Sequence, residues 1–156
     1  GGNGAAELAF YDPAPGKSAG LAARIDAAFD ATVRAVSSAD PAGYDLVVNA
    51  TPLGLEPGDA QPCDVARLEP HAAVFDILLR GQPTPLVRAA RARGLTAQGG
   101  FEMLVQQIPY YFDYFGLPDL AAHVRADVRP LRELIYPDAL RAEIDHPRRY
   151  GAAPQP

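Results

Sequence analysis

Residues 44–54 read Tyr-Asp-Leu-Val-Val-Asn-Ala-Thr-Pro-Leu-Gly, an apolar run that ends in a short polar loop. Parallel strands that are buried on both faces are nearly continuous apolar runs, so residues 44–49 are predicted to form one. The loop 49–54 then leaves the carboxyl end of that strand, where open α/β sheets place their ligands. Taken alone, the stretch is better explained as a plain connecting turn, so its meaning depends on the rest of the chain.

Apolar strand candidates alternate with helical segments on both sides of this stretch. Strands are predicted at residues 7–11, 32–36, 44–49, 73–78 and 95–98. Helices are predicted at residues 18–29, 84–93, 100–115 and, in a more charged pattern broken by prolines, 120–141. Strands separated by helices at this spacing predict an α/β fold with a mostly parallel sheet built from β-α-β units.

The composition is that of an ordinary globular domain: 156 residues, 48% hydrophobic and 21% charged. A net charge of -5 argues against a nucleic-acid surface. There is no apolar run of about 18 residues, so no membrane span is expected. The single cysteine, Cys63, excludes an internal disulfide and fits a reducing cytoplasm. The three histidines lack metal-ligand spacing, so no metal site is predicted.

Two further segments also follow strand ends. Residues 76–86 read Asp-Ile-Leu-Leu-Arg-Gly-Gln-Pro-Thr-Pro-Leu, in which Thr84 is predicted to cap the next helix. Residues 99–107 read Gly-Gly-Phe-Glu-Met-Leu-Val-Gln-Gln, where bare backbone at the glycine pair would let a flat ligand approach. Gln107 lies about two turns into that helix, within reach of such a ligand. A capped joint and a glycine hinge would explain each segment separately.

In this order and spacing the three segments resemble the motifs of the shikimate dehydrogenase family. That family carries Asn-Ala/Thr-Thr/Ser-x-x-Gly, then Asp-x-x-Tyr with Thr-Pro-Leu, then Gly-x-x-Met-Leu ending in Gln. The match covers residues 5–116 and implies the carboxy-terminal, cofactor-binding half of such an enzyme, with a Rossmann-like fold. The reaction it implies is reversible hydride transfer between NAD(P)H and 3-dehydroshikimate, giving shikimate, or the quinate pair, in aromatic amino acid biosynthesis.

The resemblance implies a role for each matching residue. The cofactor-binding positions in the three motifs are Asn49, Ala50, Thr51, Gly54, Gly100 and Met103. The loop residues would line the nicotinamide-ribose side, above Asp76 at its strand end. Gly100 would offer its backbone to the nicotinamide amide and Met103 would pack beside the ring. Gln107 would hydrogen-bond a hydroxyl of the substrate, which is shikimate, 3-dehydroshikimate or quinate.

The chain departs from the family pattern at three positions. Leu79 stands where the family has a tyrosine near the substrate carboxylate. Gly81 replaces a proline. Pro109 falls inside the third-motif helix and is expected to kink that helix or end it early. The identity of the substrate is therefore less well implied than the family.

Parts of a complete enzyme are expected to be absent. Residues 1–6 resemble a glycine-rich turn, but the strand 7–11 follows at once and leaves no room for a pyrophosphate-binding helix. Loss of the first strand, the Gly-rich loop and most of the first helix would leave a gap or a rearrangement in the sheet. The amino-terminal substrate domain with its catalytic Lys and Asp is also expected to be missing. We therefore nominate no catalytic residue and expect the chain to be inactive alone.

The domain boundaries follow from these expectations. Residues 1–118 are predicted to form a partial NAD(P)-binding domain, residues 119–145 a helical extension and residues 146–156 a disordered tail. Two rival interpretations stay open: a non-catalytic binding or regulatory descendant of the family, and a gene fragment without its own function. An upstream reading frame encoding Gly-x-Gly-Gly-Ala and a Lys/Asp pair would decide for the enzyme.

Asp12 bears on the choice between NAD and NADP. An acidic residue at the end of the second strand of a dinucleotide fold accepts hydrogen bonds from both ribose hydroxyls and repels a 2′-phosphate. Asp12 follows the strand 7–11 and therefore favours NAD. The alternative is that Asp12 is a turn residue before Pro13.

Two further groups of residues are given structural interpretations. Arg88, Arg91 and Arg93 are predicted to form a solvated helix face. The aromatic residues at 110–115 are predicted to pack in a core or against a domain.

Overall fold

The computed structural model describes residues 4–28, 31–56 and 58–144. The chain divides into two compact units, Gly1–Asp40 and Pro41–Pro156. Residues 1–3 of the glycine-rich start and the tail at 146–156 lie outside the described residues.

The first unit is a β-α-β arrangement. It consists of β1 (Glu7–Phe10), α1 (Lys17–Asp26) and β2 (Thr32–Ala35). The two strands pair in parallel, with Glu7 opposite Thr32 and Phe10 opposite Ala35. The crossover helix α1 is what allows a parallel pairing of consecutive strands. All three elements were predicted, although the described helix ends at Asp26.

The second unit contains a parallel sheet in the order β3 (Leu46–Asn49), β4 (Ala73–Asp76) and β5 (Thr96–Gly99). The register places Asn49 opposite Asp76, and Asp76 opposite Gly99. The three strands therefore end at one edge of the sheet, which is the geometry the motifs need. The parallel α/β fold is confirmed, and the described strands fall into two sheets, one in each unit.

The core of the second unit lies between this sheet and α2 (Pro85–Ala92). Nine buried residues form it: Val65, Leu68, Ala72, Val74, Leu86, Val87, Ala90, Leu95 and Ala97. Thr84 caps α2, because its side chain accepts a hydrogen bond from the Val87 amide at 3.3 Å. Gly94 follows the helix with φ 76°, a conformation that glycine adopts at helix ends without strain. Both ends of α2 are thus as the sequence predicts.

The rest of the second unit is helical: α3 (Phe101–Tyr114), α4 (Pro118–Ala126), α5 (Arg129–Ile135) and a 3-10 segment, Asp138–Glu143. A second apolar cluster joins α3 to the last two of these; its buried members are Val105, Tyr136, Leu140 and Ile144. Pro109 was expected to kink α3 or to end it early; the early end is wrong, since the helix continues to Tyr114, and the kink stays a prediction. Pro109 is buried, and packing offsets the cost of the missing backbone hydrogen bond, about 3 kcal/mol.

Two structural predictions need correction. Arg88 and Arg93 are exposed, as the predicted helix face requires, although Arg93 also donates to the Leu68 carbonyl at 3.2 Å. Arg91 is instead partly buried, and its guanidinium donates to the Ala97 carbonyl at 3.1 and 2.9 Å. The aromatic residues do not form a core within the described chain, because Tyr110, Tyr114 and Phe115 are exposed. Among the described helices, none has the length and apolar character of a membrane span.

Candidate functional site

The loop after β3 is organised by the side chain of Asn49, which is buried. Its amide nitrogen donates to the Asp76 carboxylate and to the Leu53 carbonyl, both at 3.1 Å. Its amide oxygen accepts from the backbone nitrogen and the hydroxyl of Thr51, at 3.0 and 2.7 Å. An amide side chain offers two donor hydrogens and two acceptor lone pairs, and all four are used. Asn49 therefore shapes the loop from beneath, while Ala50 and Pro52 are exposed above it.

Asp76 ties this loop to the next joint of the sheet. Its carboxylate is fully buried and accepts hydrogen bonds from Asn49, from the Leu78 amide at 3.3 Å and from the Thr84 hydroxyl at 2.6 Å. Thr84 in turn caps α2. We call Asn49, Thr51, Asp76 and Thr84 the sheet-edge network. It connects the first two sequence motifs at the carboxyl ends of β3 and β4.

Gly54 closes the loop in a conformation with φ 98°. A side chain there would be strained, and its Cβ would also lie 3.6 Å from Pro85 and 3.7 Å from Leu78. The amides of Gly54 and Glu56 donate to the Asp59 carboxylate at 3.0 and 2.9 Å. The Glu56 amide is the largest cause that holds the pKa of Asp59 below its ordinary value. Asp59 was missed from the sequence, although Asp in a Gly- and Pro-rich loop signals such bonds.

Gly100 stands where α3 begins, pressed against the end of β4. A Cβ at this position would lie 2.3 Å from the carbonyl oxygen of Ile77 and 2.7 Å from its carbonyl carbon. No side chain fits at that distance from backbone. Glycine is thus required here because the Ile77 backbone leaves no room for a side chain. The sequence pattern had suggested glycine for a different reason, the close approach of a flat ligand. The backbone role of Gly100 toward a cofactor stays a prediction.

Met103 and Gln107 lie four residues apart on α3 and therefore share one face of the helix. Both are half-buried, and the Gln107 side chain accepts a hydrogen bond from the Tyr111 hydroxyl at 3.2 Å. Leu79, which follows β4, is 49% exposed. In the first unit, Asp12 lies two residues beyond β1 and accepts a bond from the Ala14 amide at 2.8 Å. That is the geometry of a turn residue, and the ribose role of Asp12 stays a prediction.

A second polar group, absent from the sequence analysis, surrounds the first turn of α3. The Glu102 carboxylate accepts hydrogen bonds from Arg132 at 2.9 and 2.6 Å, from the Tyr136 hydroxyl at 2.8 Å and from Gln106 at 2.7 Å. We call these four residues the Glu102 cluster. Arg132 and Tyr136 lie 30 and 34 residues from Glu102 along the chain, so no local sequence pattern predicts these contacts.

Burial and hydrogen bonding act in opposite directions on the Glu102 cluster. Burial alone would raise the pKa of Glu102, but the bonds from Arg132, Gln106 and Tyr136 together lower it below its ordinary value. Burial, and then the bond to Glu102, raise the pKa of Tyr136. The cluster thus holds an ionised carboxylate and a neutral phenol over the whole neutral range.

Cys63 is the single thiol of the chain. Cys63 is half-buried, and burial, followed by the charge of Asp64, raises the pKa of its thiol. A thiol with a raised pKa is a poor nucleophile at neutral pH. Within residues 4–28, 31–56 and 58–144, no group of His, Cys, Asp and Glu side chains could hold a metal ion.

Curated relatives match the chain over the part that carries the motifs. A shikimate dehydrogenase (NADP+) of Rubrobacter xylanophilus is 41% identical over 111 residues, and one of Acidiphilium cryptum is 44% identical over 81 residues. The resemblance to the shikimate dehydrogenase family is confirmed. The chain spans 38% of the length of the first relative and 29% of the second. No family model matches the chain.

Solved structures give the same fold. The shikimate dehydrogenase of Thermus thermophilus, solved with NADP(H) and shikimate, matches 74% of this chain with a TM-score of 0.58 and 27% identity. The ligand-free 5-ketofructose reductase of a Gluconobacter species matches 71% of this chain with a TM-score of 0.65 and 28% identity. The chain covers 45% and 42% of these two proteins, respectively. The Rossmann-like fold is thus shared by enzymes named for different substrates.

Proposed function

We propose that this chain is the cofactor-binding part of an NAD(P)-dependent oxidoreductase of the shikimate dehydrogenase type. The observation that carries the proposal is the sheet-edge network, which fixes the loop 49–54 at the carboxyl ends of β3 and β4. Ligands of open parallel sheets bind at that edge. The relatives named shikimate dehydrogenase (NADP+) support it. The substrate is proposed to be 3-dehydroshikimate and shikimate, or the quinate pair.

The residues present fit the nicotinamide end of such a cofactor. The loop exposes Ala50 and Pro52, whose backbone a ribose could approach, and Thr51 stands half-buried between them. Met103 provides an apolar side chain on the first turn of α3. When bound, the cofactor would supply the hydride of the reaction. Gln107, on the same helix face as Met103, would hold a hydroxyl group of the substrate.

The preference for NAD is a separate part of the proposal and rests on Asp12. One oxygen of its carboxylate is held by the Ala14 amide, and the group is half-buried beyond the end of β1. A carboxylate there repels a 2′-phosphate. The curated relatives, in contrast, are named for NADP+. Calorimetric titration of the chain with NAD+ and NADP+ tests this; tighter binding of NADP+ contradicts the role of Asp12.

A second candidate is a reductase of another polyhydroxy ketone. Two observations favour it: the match to 5-ketofructose reductase has a TM-score of 0.65, and Leu79 replaces the family tyrosine. An aliphatic side chain at that position cannot hydrogen-bond a substrate carboxylate, and 5-ketofructose has none. The chain joined to the amino-terminal domain of a shikimate dehydrogenase should be assayed with NADPH and NADH against 3-dehydroshikimate and 5-ketofructose. Turnover of 5-ketofructose alone would select the second candidate.

The binding part of the proposal can be tested on this chain directly. We expect NADPH or NADH, titrated into the ¹⁵N-labelled chain, to shift the amide signals of residues 50–54 and 100–103. AMP serves as the control ligand, since it carries the adenosine part without the nicotinamide. Equal shifts with AMP, or shifts confined to other residues, would contradict a nicotinamide site at this loop.

The catalytic part needs a separate assay. The chain offers no nominated acid-base residue, so we expect no protein-dependent NADH or NADPH formation from shikimate or quinate. Steady formation of either product in a spectrophotometric assay would show that the described part contains catalytic groups that we have not assigned.

A further inference from the structure

The proposed site leaves the Glu102 cluster without a role, although it holds a strong and mostly buried ion pair. Two guanidinium nitrogens of Arg132 donate hydrogen bonds to the Glu102 carboxylate. The Arg132 side chain is 10% exposed and the Glu102 side chain 17%. A two-pronged arginine–carboxylate contact of this kind fixes orientation as well as distance. The Tyr136 hydroxyl donates a third hydrogen bond to the same carboxylate, at 2.8 Å.

The position of Glu102 in the chain makes this anchoring relevant to the site. Glu102 is the second residue of α3 and stands between Gly100 and Met103, two residues of the proposed site. Arg132 belongs to α5, and Tyr136 is the first residue after that helix. The anchor therefore joins the first turn of α3 to a helical segment about thirty residues further along the chain.

The start of α3 is held from a second direction as well. Gly100 is so close to the end of β4 that any Cβ would lie 2.3 Å from the Ile77 carbonyl oxygen. The Phe101 ring packs on the ring of Tyr136, with 5.8 Å between the centroids. Close-packed groups of this kind do not deform gradually. The first turn of α3 is thus held both by the backbone at the end of β4 and by the Glu102 cluster.

The C-terminal segment is itself attached to the sheet. Arg91 of α2 donates to the Ala97 carbonyl in β5 at 2.9 Å and to the Glu143 carboxylate at 2.8 Å. Glu143 lies in the 3-10 segment that follows α5. The segment 129–144 is therefore joined to the sheet near β5 and to α3 just beyond it. A solvated extension would make neither contact.

We infer that Glu102 and Arg132 are positioning residues that set the first turn of α3, and with it Met103, for the nicotinamide end of a dinucleotide. Neither residue is expected to touch the ligand. The ligand in this inference rests on the proposed function, whereas the anchoring of α3 does not. The two can therefore fail separately.

Met103 is the only methionine of the chain, so a ¹³C-methyl methionine label gives one NMR signal from the site itself. We expect Arg132→Leu to shift that signal in the absence of ligand, because the first turn of α3 loses its anchor. The matched control is Arg129→Leu, which removes the same charge from the same helix. Its exposed pair with Glu133, with side chains 57% and 51% exposed, should leave the signal in place.

The ligand response gives the second measurement. In the wild-type chain NADH should move the Met103 methyl signal. In Arg132→Leu we expect the NADH dissociation constant to rise about 2- to 12-fold relative to Arg129→Leu, because displacement of the first turn of α3 should weaken the ligand's contacts there by about the worth of one hydrogen bond. Glu102→Gln keeps the size and one acceptor oxygen of the side chain, so it should fall between wild type and Arg132→Leu. Val74→Ala, which destabilises the sheet core, should leave the methyl signal unchanged if the effect is specific.

The outcomes separate the two ideas. An unchanged methyl signal in both Arg132→Leu and Glu102→Gln overturns the positioning role. A wild-type signal that does not respond to NADH, together with shifted signals in Arg132→Leu and Glu102→Gln, overturns the cofactor proposal and leaves the anchoring intact. If Arg132→Leu does not fold, the double variant Glu102→Leu with Arg132→Leu replaces it, because apolar replacement of a buried pair is often tolerated. A wild-type methyl position in that double variant would also overturn the positioning role.

Discussion

The sheet-edge network and the Glu102 cluster each hold a carboxylate away from water, but they do so with different partners. Asp76 is fully buried and receives its bonds from uncharged donors: the Asn49 amide, the Leu78 backbone and the Thr84 hydroxyl. Glu102 is paired with the charged Arg132 and lies closer to the surface. The first arrangement fixes a loop against a sheet, whereas the second fixes a helix against another helix.

This difference predicts unequal tolerance to change. The donors around Asp76 belong to a sheet edge and a helix cap, which cannot turn toward water without moving backbone. The guanidinium of Arg132 stands on a long side chain that can reorient toward solvent. Loss of the acceptor at Asp76 should therefore cost more stability than changes at the Glu102 cluster.

The largest expected effect is that of Asp76→Ala. Three buried donors would lose their acceptor at about 1–3 kcal/mol each, and partial relaxation should leave a loss of about 3–5 kcal/mol. Urea denaturation of the second unit, followed by NMR signals of β4 amides, measures it. Asp138→Ala is the control, because the Asp138 side chain is 92% exposed beside Arg141. A loss below about 1 kcal/mol for Asp76→Ala would show that the network is not a stability centre.

The second effect concerns Gly100, which lies between the two regions. Gly100→Ala forces a Cβ to within 2.3 Å of the Ile77 carbonyl oxygen, so β4 and α3 must separate. Overpacking of this kind costs about 1–3 kcal/mol. The neighbouring Gly99 has open space around its Cα, so Gly99→Ala is a matched control and should be nearly neutral. Equal melting temperatures for the two variants would contradict the close approach.

The two regions also differ in how far the sequence predicts them. Apolar runs between turn residues place the strands, and the Thr84 cap follows from a hydroxyl residue one position before Pro85. Asn49, Asp76 and Thr84 all fall in short motifs at strand ends, where parallel register brings them together. The position of this site could therefore be predicted without coordinates. The four hydrogen bonds of the Asn49 side chain could not.

The Glu102 cluster could not be predicted, because its contacts depend on how helices pack. Arg132 resembles any charged residue of a surface helix until α5 is placed against α3. The same holds for Arg91, whose partner Glu143 lies 52 residues away. Gly100 shows a related limit: its need for glycine was visible in the pattern, but the group that approaches it is the chain's own Ile77.

The third prediction uses the charge in the Glu102 cluster. Because hydrogen bonds hold the pKa of Glu102 below its ordinary value of 4.5, the carboxylate adds stability above pH 4.5. That contribution is lost as the pH falls through the folded-state pKa. Because the pKa of Tyr136 is raised above its ordinary value of 10.0, its contribution is fully present below pH 10 and is lost as the pH rises from there through the folded-state pKa.

Thermal melting of Glu102→Gln measures the acid side of this dependence. The variant should lose stability at pH 7 and show a weaker decline than wild type between pH 4.5 and pH 3, since it has no proton to bind at this position. Glu133→Gln, in the exposed pair on α5, should follow the wild-type curve. Parallel acid limbs for wild type and Glu102→Gln would mean that this carboxylate does not contribute to acid sensitivity.

The smallest effect on stability is expected at Leu79, which belongs to neither region and lies between Asp76 and Thr84 on the chain. Leu79 is 49% exposed, so Leu79→Tyr should change the free energy of unfolding by less than about 0.5 kcal/mol.

The effect of Leu79→Tyr on ligand choice should be larger, because the substitution restores the phenol that the family places near the substrate carboxylate. With the chain joined to the amino-terminal domain of a shikimate dehydrogenase, kcat/KM for shikimate should rise if shikimate is the substrate and the pocket has room. A fall for shikimate together with a fall for 5-ketofructose would show that the new ring only fills the pocket, whereas a fall for 5-ketofructose alone would favour a carboxylate substrate. Leu79→Phe separates the two effects, since it adds the ring without the hydroxyl: a gain seen with tyrosine and not with phenylalanine assigns the contact to the phenol.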